Sequence, residues 1–425
     1  MTTKRPDLAS GGAGAKRAQG RARATAPLEA PDVPLALAAT GMEAELELWI
    51  NGERRRPEDV FGHPTAFVRG ELMHREGTSY HLPTGAAIYF DTGVIEVATP
   101  AIEIERGAAA RAGRQLWEAI RFVRRELDAW EEHRREKARL VGFSMHYNVS
   151  FELPPAEQGR ERTVRKLALL LTYILPFPVM LLATNRRSSS GVGVRPRGNR
   201  LEVTVDFTPE PALSIATGSL ILGIVREVMS WPSYDLGMLE TMDIPVVAGF
   251  SPVKHSSRKG WVARFDCFPM NPFTCDVDDR SWPLRDGREA SLRDLAGAIT
   301  RRFWPSIRRL TGPFTVRLIG GVMRGRAPSL LDLTDRPTAY EDVGRLCTWD
   351  DLFPERLLSR SRYEQVLIRA VSGQKLHLGG HWYTPVNVRG WSQVVFRRED
   401  ETTHVFPLDF LVQHLRDWER RRQPS

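Results

Sequence analysis

At 425 residues the chain is long enough for one large domain with appendages or for two domains. Its 42% hydrophobic and 26% charged content is that of a soluble globular protein. A formal net charge of +8 permits a polyanionic or nucleotide partner without demanding nucleic acid, which is not expected. Cys267, Cys275 and Cys347 form no C-x-x-C pair, which argues against a disulfide framework or a thiolate zinc site and fits a cytoplasmic protein.

Residues 1–40 are rich in Ala, Gly, Arg and Pro and read as a disordered basic tail without a signal peptide. From Gly41 to Ile50 the sequence alternates. Glu43, Glu45 and Glu47 fall on one side, with Met42, Leu46, Leu48 and Ile50 mainly on the other. Strand side chains point to opposite faces with period two, so the three carboxylates line one face. Glu is a poor strand former, and such a row calls for a divalent metal or a basic partner, unless it is a solvated edge. Asn51 and Gly52 then signal a hairpin.

Residues 57–80 read as irregular. A second hairpin runs from Ala86 to Asp91, turns at Thr92 and Gly93, and returns from Val94 to Pro100. Asp91, where the turn begins, reads as a structural residue. Glu96 interrupts an apolar strand, and a lone inward carboxylate is costly unless paired or metal-bound.

From Glu105 to about Leu140 the pattern is helical, with Leu116, Ile120, Val123, Leu127 and Trp130 at three- and four-residue steps. The stretch Gly142 to Glu152 returns to alternation. Ser144, His146, Asn148, Ser150 and Glu152 share a face, which makes His146 a site candidate. Leu167 to Ala183 reads as a buried core helix ending near Pro176 and Pro178, not as a membrane span. In the polar loop after it, Arg186 and Arg187 either grip phosphate oxygens or face solvent. Asn199 to Asp206 is a strand with Arg200, Glu202, Thr204 and Asp206 on one face.

Further on, the patterns predict helices over residues 212–230, 292–310, 355–371 and 408–421. Strands are predicted over 244–250, 261–267, 314–319, 382–388 and 392–397.

The polar strand faces together offer carboxylates, one imidazole and an arginine. Hard cations such as Mg²⁺ take oxygen ligands, and Mn²⁺ also accepts imidazole. A concave sheet with these groups would suit metals bridging nucleotide phosphates.

In order, these motifs resemble the carboxylate–amine ligases of the glutamine synthetase fold, which include the glutamate–cysteine ligases and the ligases of prokaryotic ubiquitin-like protein. Gly41, Glu43 and Glu45 match the G-x-E-x-E strand that opens the catalytic sheet of those families. Asp91 and Glu96 through Pro100 are similar to their second acidic strand. His146 with Ser150 resembles their metal-binding histidine strand. Asn185, Arg186 and Arg187 are like the segment after their long apolar helix, and Arg200 with Glu202 resembles their closing R-x-E strand. Thr204 departs from the pattern where several members keep a second arginine, and the Asp91–Glu96 spacing is compact.

The resemblance implies an α+β fold: a curved, mostly antiparallel sheet packed by helices over residues 41–310, with a C-terminal α/β extension over 311–425. It implies Glu43, Glu45, Glu96, His146 and Glu202 as ligands for Mg²⁺ or Mn²⁺. Asn148, Arg186, Arg187 and Arg200 would contact ATP, with Arg187 and Arg200 acting in catalysis. The implied chemistry is ATP-dependent amide or isopeptide formation through an acyl phosphate. The partners would be an amine and a carboxylate from an amino acid, a peptide or a protein tail. No membrane partner is expected, and a homo-oligomer is compatible with the sequence. Two other readings fit the same residues: a non-catalytic nucleotide- or polyanion-binding assembly protein, and a metal-dependent amide hydrolase.

Overall fold

The computed structural model describes residues 35–153, 159, 162–184, 187–255, 260–333, 342–347 and 359–418. The predicted tail over 1–34, Asn185, Arg186, residues 256–259 and the predicted helix start at Glu355 lie outside them.

The alternating stretches become one 12-stranded sheet. Its strands are β1 (Ala39–Ile50), β2 (Glu53–Arg55), β3 (Met73–His74), β4 (Tyr80–His81), β5 (Ala87–Asp91), β6 (Val94–Ala98) and β7 (Ile102–Glu103). They continue with β8 (Ala138–Ser150), β9 (Val192–Arg197), β10 (Arg200–Asp206), β11 (Val253–Lys254) and β12 (Trp261–Ala263). The spatial order is β11-β12-β9-β10-β8-β1-β6-β5-β4-β3, with β2 and β7 also on β1. The site strands pair antiparallel throughout, as expected for the α+β class. Both predicted hairpin turns form. Asn51 and Gly52 have φ of 51° and 87°, and Thr92 and Gly93 have 52° and 96°, the left-handed pairs that match strand twist.

Eleven α-helices accompany the strands among the described residues. They are α1 (Pro57–Phe61), α2 (Ala108–Arg134), α3 (Val164–Ile174), α4 (Pro176–Ala183), α5 (Pro211–Met229) and α6 (Met238–Thr241). After them come α7 (Leu292–Arg302), α8 (Trp304–Leu310), α9 (Pro313–Val322), α10 (Arg362–Val371) and α11 (Leu408–Gln413). Helix α2 lies on β1 and β6 and buries Leu116, Ile120, Val123 and Leu127. Helix α5 packs on β8 beside α2. Its Gly218 permits close approach, since a Cβ there would sit 2.7 Å from Met42 Cε. Helices α8 and α9 form an outer layer against α5. Among the described residues α5 is long and apolar enough to cross a membrane, and 83% of its most apolar window is buried inside the fold.

Several predicted elements differ. Helix α2 stops at Arg135, which takes a left-handed φ of 60°, so Ala138 to Val141 extend β8 instead of the helix. The Leu167–Ala183 segment is two helices bent by 64°, because Pro176 starts a new first turn where its missing N–H is harmless. Phe314 to Ile319, predicted as a strand, lie in α9, where Pro313 again occupies the first turn and Ile319 and Val322 face the core. Ile244 to Phe250 form only an isolated bridge, Val247 to Leu284.

A two-stranded hairpin, β13 (Trp282–Pro283) with β14 (Glu289–Ala290), precedes α7. The C-terminal sheet is β15 (Leu376–Leu378), β16 (His381–Arg389), β17 (Gln393–Arg398) and β18 (Thr403–Pro407). With α10 and α11 it builds a second core around Tyr363, Leu367, Phe396 and Trp418. Ile319, Val322, Leu330 and Val343 belong to the larger core, so the separate C-terminal core starts well after residue 311. The two cores are joined by a buried pair, Arg114 to Glu364 at 2.8 Å, and by Leu35 and Leu37, which pack on the smaller core just before β1.

Candidate functional site

Antiparallel register decides which side chains meet. Glu43 lies opposite His146, which lies opposite Thr204. One rung further, Tyr89, Glu96, Glu45, Ser144 and Asp206 align across β5, β6, β1, β8 and β10. Asn148 sits between Gly41 and Glu202, and Arg200 is opposite Ser150. Directly paired residues share a face, so these polar side chains gather on the side away from α2 and α5.

His146 is the centre of this cluster. Its Nδ1 is 3.1 Å from Glu43 Oε2, 3.5 Å from Glu202 Oε1 and 3.8 Å from Glu96 Oε1. Its Nε2 is 3.6 Å from Glu45 Oε1 and 3.2 Å from Ser144 Oγ, and Ser144 Oγ donates to Glu45 Oε2 at 2.5 Å. Two groups of donor atoms, Glu43–His146–Glu202 and Glu45–Glu96–His146, each lie within 4.8 Å of one another. Carboxylate oxygens with one imidazole nitrogen suit Mn²⁺ or Mg²⁺, and the donors present fit such an ion.

The site is buried, with Glu96, Glu202 and His146 each under 5% exposed. Burial alone would raise the Glu43 carboxyl, but the hydrogen bond and charge of His146, with Arg200 and Glu96, pull it down to about 2. Glu96 goes the other way. Burial and the charges of Glu43 and Glu45 push it well above the ordinary carboxyl range, which favours the neutral acid. For His146, burial opposes protonation, but Glu43, Glu45 and Glu202 outweigh it and raise its pKa. Tyr89, beside Glu96, is raised by burial and by the carboxylates of Glu96 and Glu43. Like charges crowded together cannot all ionise, so the cluster holds protons that a cation would displace.

Two arginines absent from the sequence reading complete the site. Strand β9 carries Arg195 and Arg197 opposite Glu202 and Arg200. The Arg195 guanidinium contacts Glu202 Oε1 and lies 3.4 Å from His146 Nε2, while Arg197 Nε donates to Glu202 Oε2 at 2.6 Å. The alternation of Val192 and Val194 with Arg195 and Arg197 before Gly198 and Asn199 was the available signal, broken up by Gly193 and Pro196. Arg200 Nε donates to Asn148 Oδ1 at 3.0 Å. Arg187 is exposed on the turn after α4, not on the strands that carry the cluster. Glu47 stays at the periphery, 3.1 Å from Arg54.

A cavity of about 780 Å³ opens beside the cluster. Glu43, Asn148 and Arg200 form its polar end, and Phe151, Val164 and Leu35 are among its apolar walls. Trp391, from the turn between β16 and β17, also lines it. That ring is held by Arg75, whose guanidinium carbon lies 4.1 Å from the ring centroid, and by the edge of His81.

No protein-family profile and no curated protein matches the sequence. Among solved structures, the chain is similar to one of the complex between the prokaryotic ubiquitin-like protein Pup and its ligase PafA. The two share 12% identity with a TM-score of 0.45, over 89% of this chain and 92% of that one. A likeness of that depth leaves the reading of the site to its own geometry.

Proposed function

We propose that the chain is an ATP- and Mg²⁺- or Mn²⁺-dependent carboxylate–amine ligase. The observation that carries this reading is the convergence of Glu43, Glu45, Glu96, His146 and Glu202 from four strands onto one buried face. Beside them Arg200 and Asn148 open onto a cavity of the size small-molecule sites take.

In this reading Glu43, Glu45, Glu96, His146 and Glu202 hold the cation or cations, which neutralise phosphate charge when bound. The nucleoside occupies the cavity with Trp391 as a wall, and the triphosphate points toward Arg200 and the cluster. A substrate carboxylate oxygen attacks the γ-phosphorus and ADP leaves. The amine then attacks the acyl carbon, the C–N bond forms, inorganic phosphate leaves, and the amine proton passes to a base. Arg200 faces the phosphoryl oxygens, where a planar guanidinium stabilises charge as it shifts. Arg195 and Arg197 position Glu202. Arg187 and Arg186 remain candidates for a phosphate contact from the loop after α4.

Calorimetric titration with ATP in the presence and absence of Mn²⁺ tests this. Wild-type binding should require the cation and should collapse in Glu45→Ala and His146→Ala. Metal-independent binding, or none, removes the ligase reading. Amide turnover without ATP consumption would instead establish a hydrolase.

A further inference from the structure

The outer helix layer carries charge of one sign. Between Leu295 and Leu331 there are seven arginines and no Asp, Glu or Lys. Arg302 is accounted for, with Nη1 3.1 Å from Glu227, whose other oxygen accepts from Ser306. The flanking carboxylates are engaged too. Asp294 caps α7 through Ser291, and Asp332 is bound to Arg293 at 2.9 Å. Arg308, Arg309, Arg317, Arg324 and Arg326 are all exposed. Among the described residues no ion pair to any of them is found.

These arginines follow one another closely along the chain. Arg308 and Arg309 end α8, and only Thr311 and Gly312 separate that helix from α9. On α9, Phe314 and Arg317 are three residues apart, the spacing of one helix face, and Arg324 lies in the turn just past the end of the helix. The Arg324 guanidinium lies back along the helix, 3.0 Å from where a Cβ on Gly320 would sit. Phe314, 64% exposed, stands among them. An unpaired cationic row costs self-repulsion and an exposed Phe ring costs hydration, unless a partner meets both.

We propose that this α8–α9 face binds single-stranded nucleic acid. The arginines would meet successive backbone phosphates, and Phe314 would stack on a base, the combination by which such strands are held without sequence readout. The face lies behind α5, on the opposite side of the sheet from the candidate ligase site, so it is not a track for that site's substrates. It therefore stands independently of the ligase reading.

Fluorescence anisotropy with the full chain and a labelled oligouridylate of about 20 nucleotides tests it. Binding should weaken with salt, with a log–log slope of about 0.7 per phosphate neutralised. The triple variant R309E/R317E/R324E should lose at least about tenfold in affinity, and Phe314→Ala about fivefold, with Mn²⁺–ATP binding unchanged. Absence of binding at about 50 mM salt, or unchanged affinity in both variants, overturns the proposal. Tighter binding of poly-glutamate, displacing the oligonucleotide, also overturns it and assigns the face to an acidic polypeptide. Should the triple variant not fold, ultraviolet crosslinking of the wild type decides. Crosslinked peptides must come from residues 305–326, and crosslinks confined elsewhere refute the site.

Discussion

The two faces of the large sheet are built from the same strands and do opposite jobs. On one, Met42, Leu46, Val97, Met145, Tyr147 and Val203 are buried against α2 and α5. On the other, residues one step along the same strands bring four carboxylates and an imidazole together. The apolar face gains stability from area removed from water, roughly 25 cal/mol per Å². The polar face pays for ion desolvation and returns only part of it through pairing. Period-two alternation lets one segment carry both, and it makes the two separable by mutation.

The sharpest separation comes from His146→Ala. Metal-dependent ATP affinity should fall by more than about 100-fold, since a direct ligand matters more than the outer-sphere groups that already cost 10–100-fold. The stability of the metal-free protein, read by denaturant titration, should also fall, because Glu43, Glu45 and Glu202 lose the imidazole that partners them, and the loss should ease at acid pH as the carboxylates protonate. A stability loss that is independent of pH would erase the distinction between the faces. Leu46→Ala, on the neighbouring strand β1 and the other face of the sheet, should cost about 2–5 kcal/mol in the same titration. In the folded fraction its Mn²⁺–ATP affinity should remain within a few-fold of wild type.

Acidity sharpens the comparison further. Glu96 and His146 both have raised folded-state values, so each binds its proton more tightly folded than unfolded. Stability from these groups is therefore present below their ordinary values and is lost as pH rises toward the folded ones. Metal-free protein should lose stability as pH rises above the ordinary carboxyl value for Glu96 and the ordinary imidazole value for His146, by up to about 1.4 kcal/mol per pH unit for each proton. Glu43, held near 2, acts only at acid pH, where its contribution disappears as pH falls. Saturating Mn²⁺ should reverse the trend, because it binds the deprotonated donors, and calorimetry in buffers of different ionisation heat should count the protons released. A metal-free stability that rises over that range would contradict this account. The smallest effect belongs to Glu47→Gln. This residue continues the acidic row but pairs with exposed Arg54, so stability should change by less than about 0.5 kcal/mol and metal binding not at all.

Much of this was legible because alternation is a local signal. Glu43, Glu45, His146 and Glu202 announced a polar face in isolated strands, and strand neighbourhood, which sequence does not state, turned those faces into a cluster. What escaped did so for identifiable reasons. Pro196 and Gly193 concealed β9, and with it Arg195 and Arg197. The β-branched and aromatic residues of Phe314 to Ile319 imitate a strand, while Pro313 and packing on α5 select a helix. Ala138 to Val141 continue the apolar content of α2 but are claimed by pairing with β1.

That last segment rests on a bulge. Between Glu45 and Leu46 the β1–β8 register shifts, so that Glu45 faces Ser144 while Leu46 faces Gly142, leaving Phe143 as an extra residue. The even-numbered residues of β8 carry the site before the shift, and the odd-numbered Val141 and Arg139 share that side after it. Gly142 has no room for a side chain, since a Cβ would lie 2.4 Å from the Phe207 ring. The insertion acts as a phase corrector between two reading frames of one strand. Deleting Phe143 would force a choice between turning His146 toward the helices and turning Leu140 toward the site. This strand can absorb changes of residue, but a change of its length by one would set the core and the candidate site against each other.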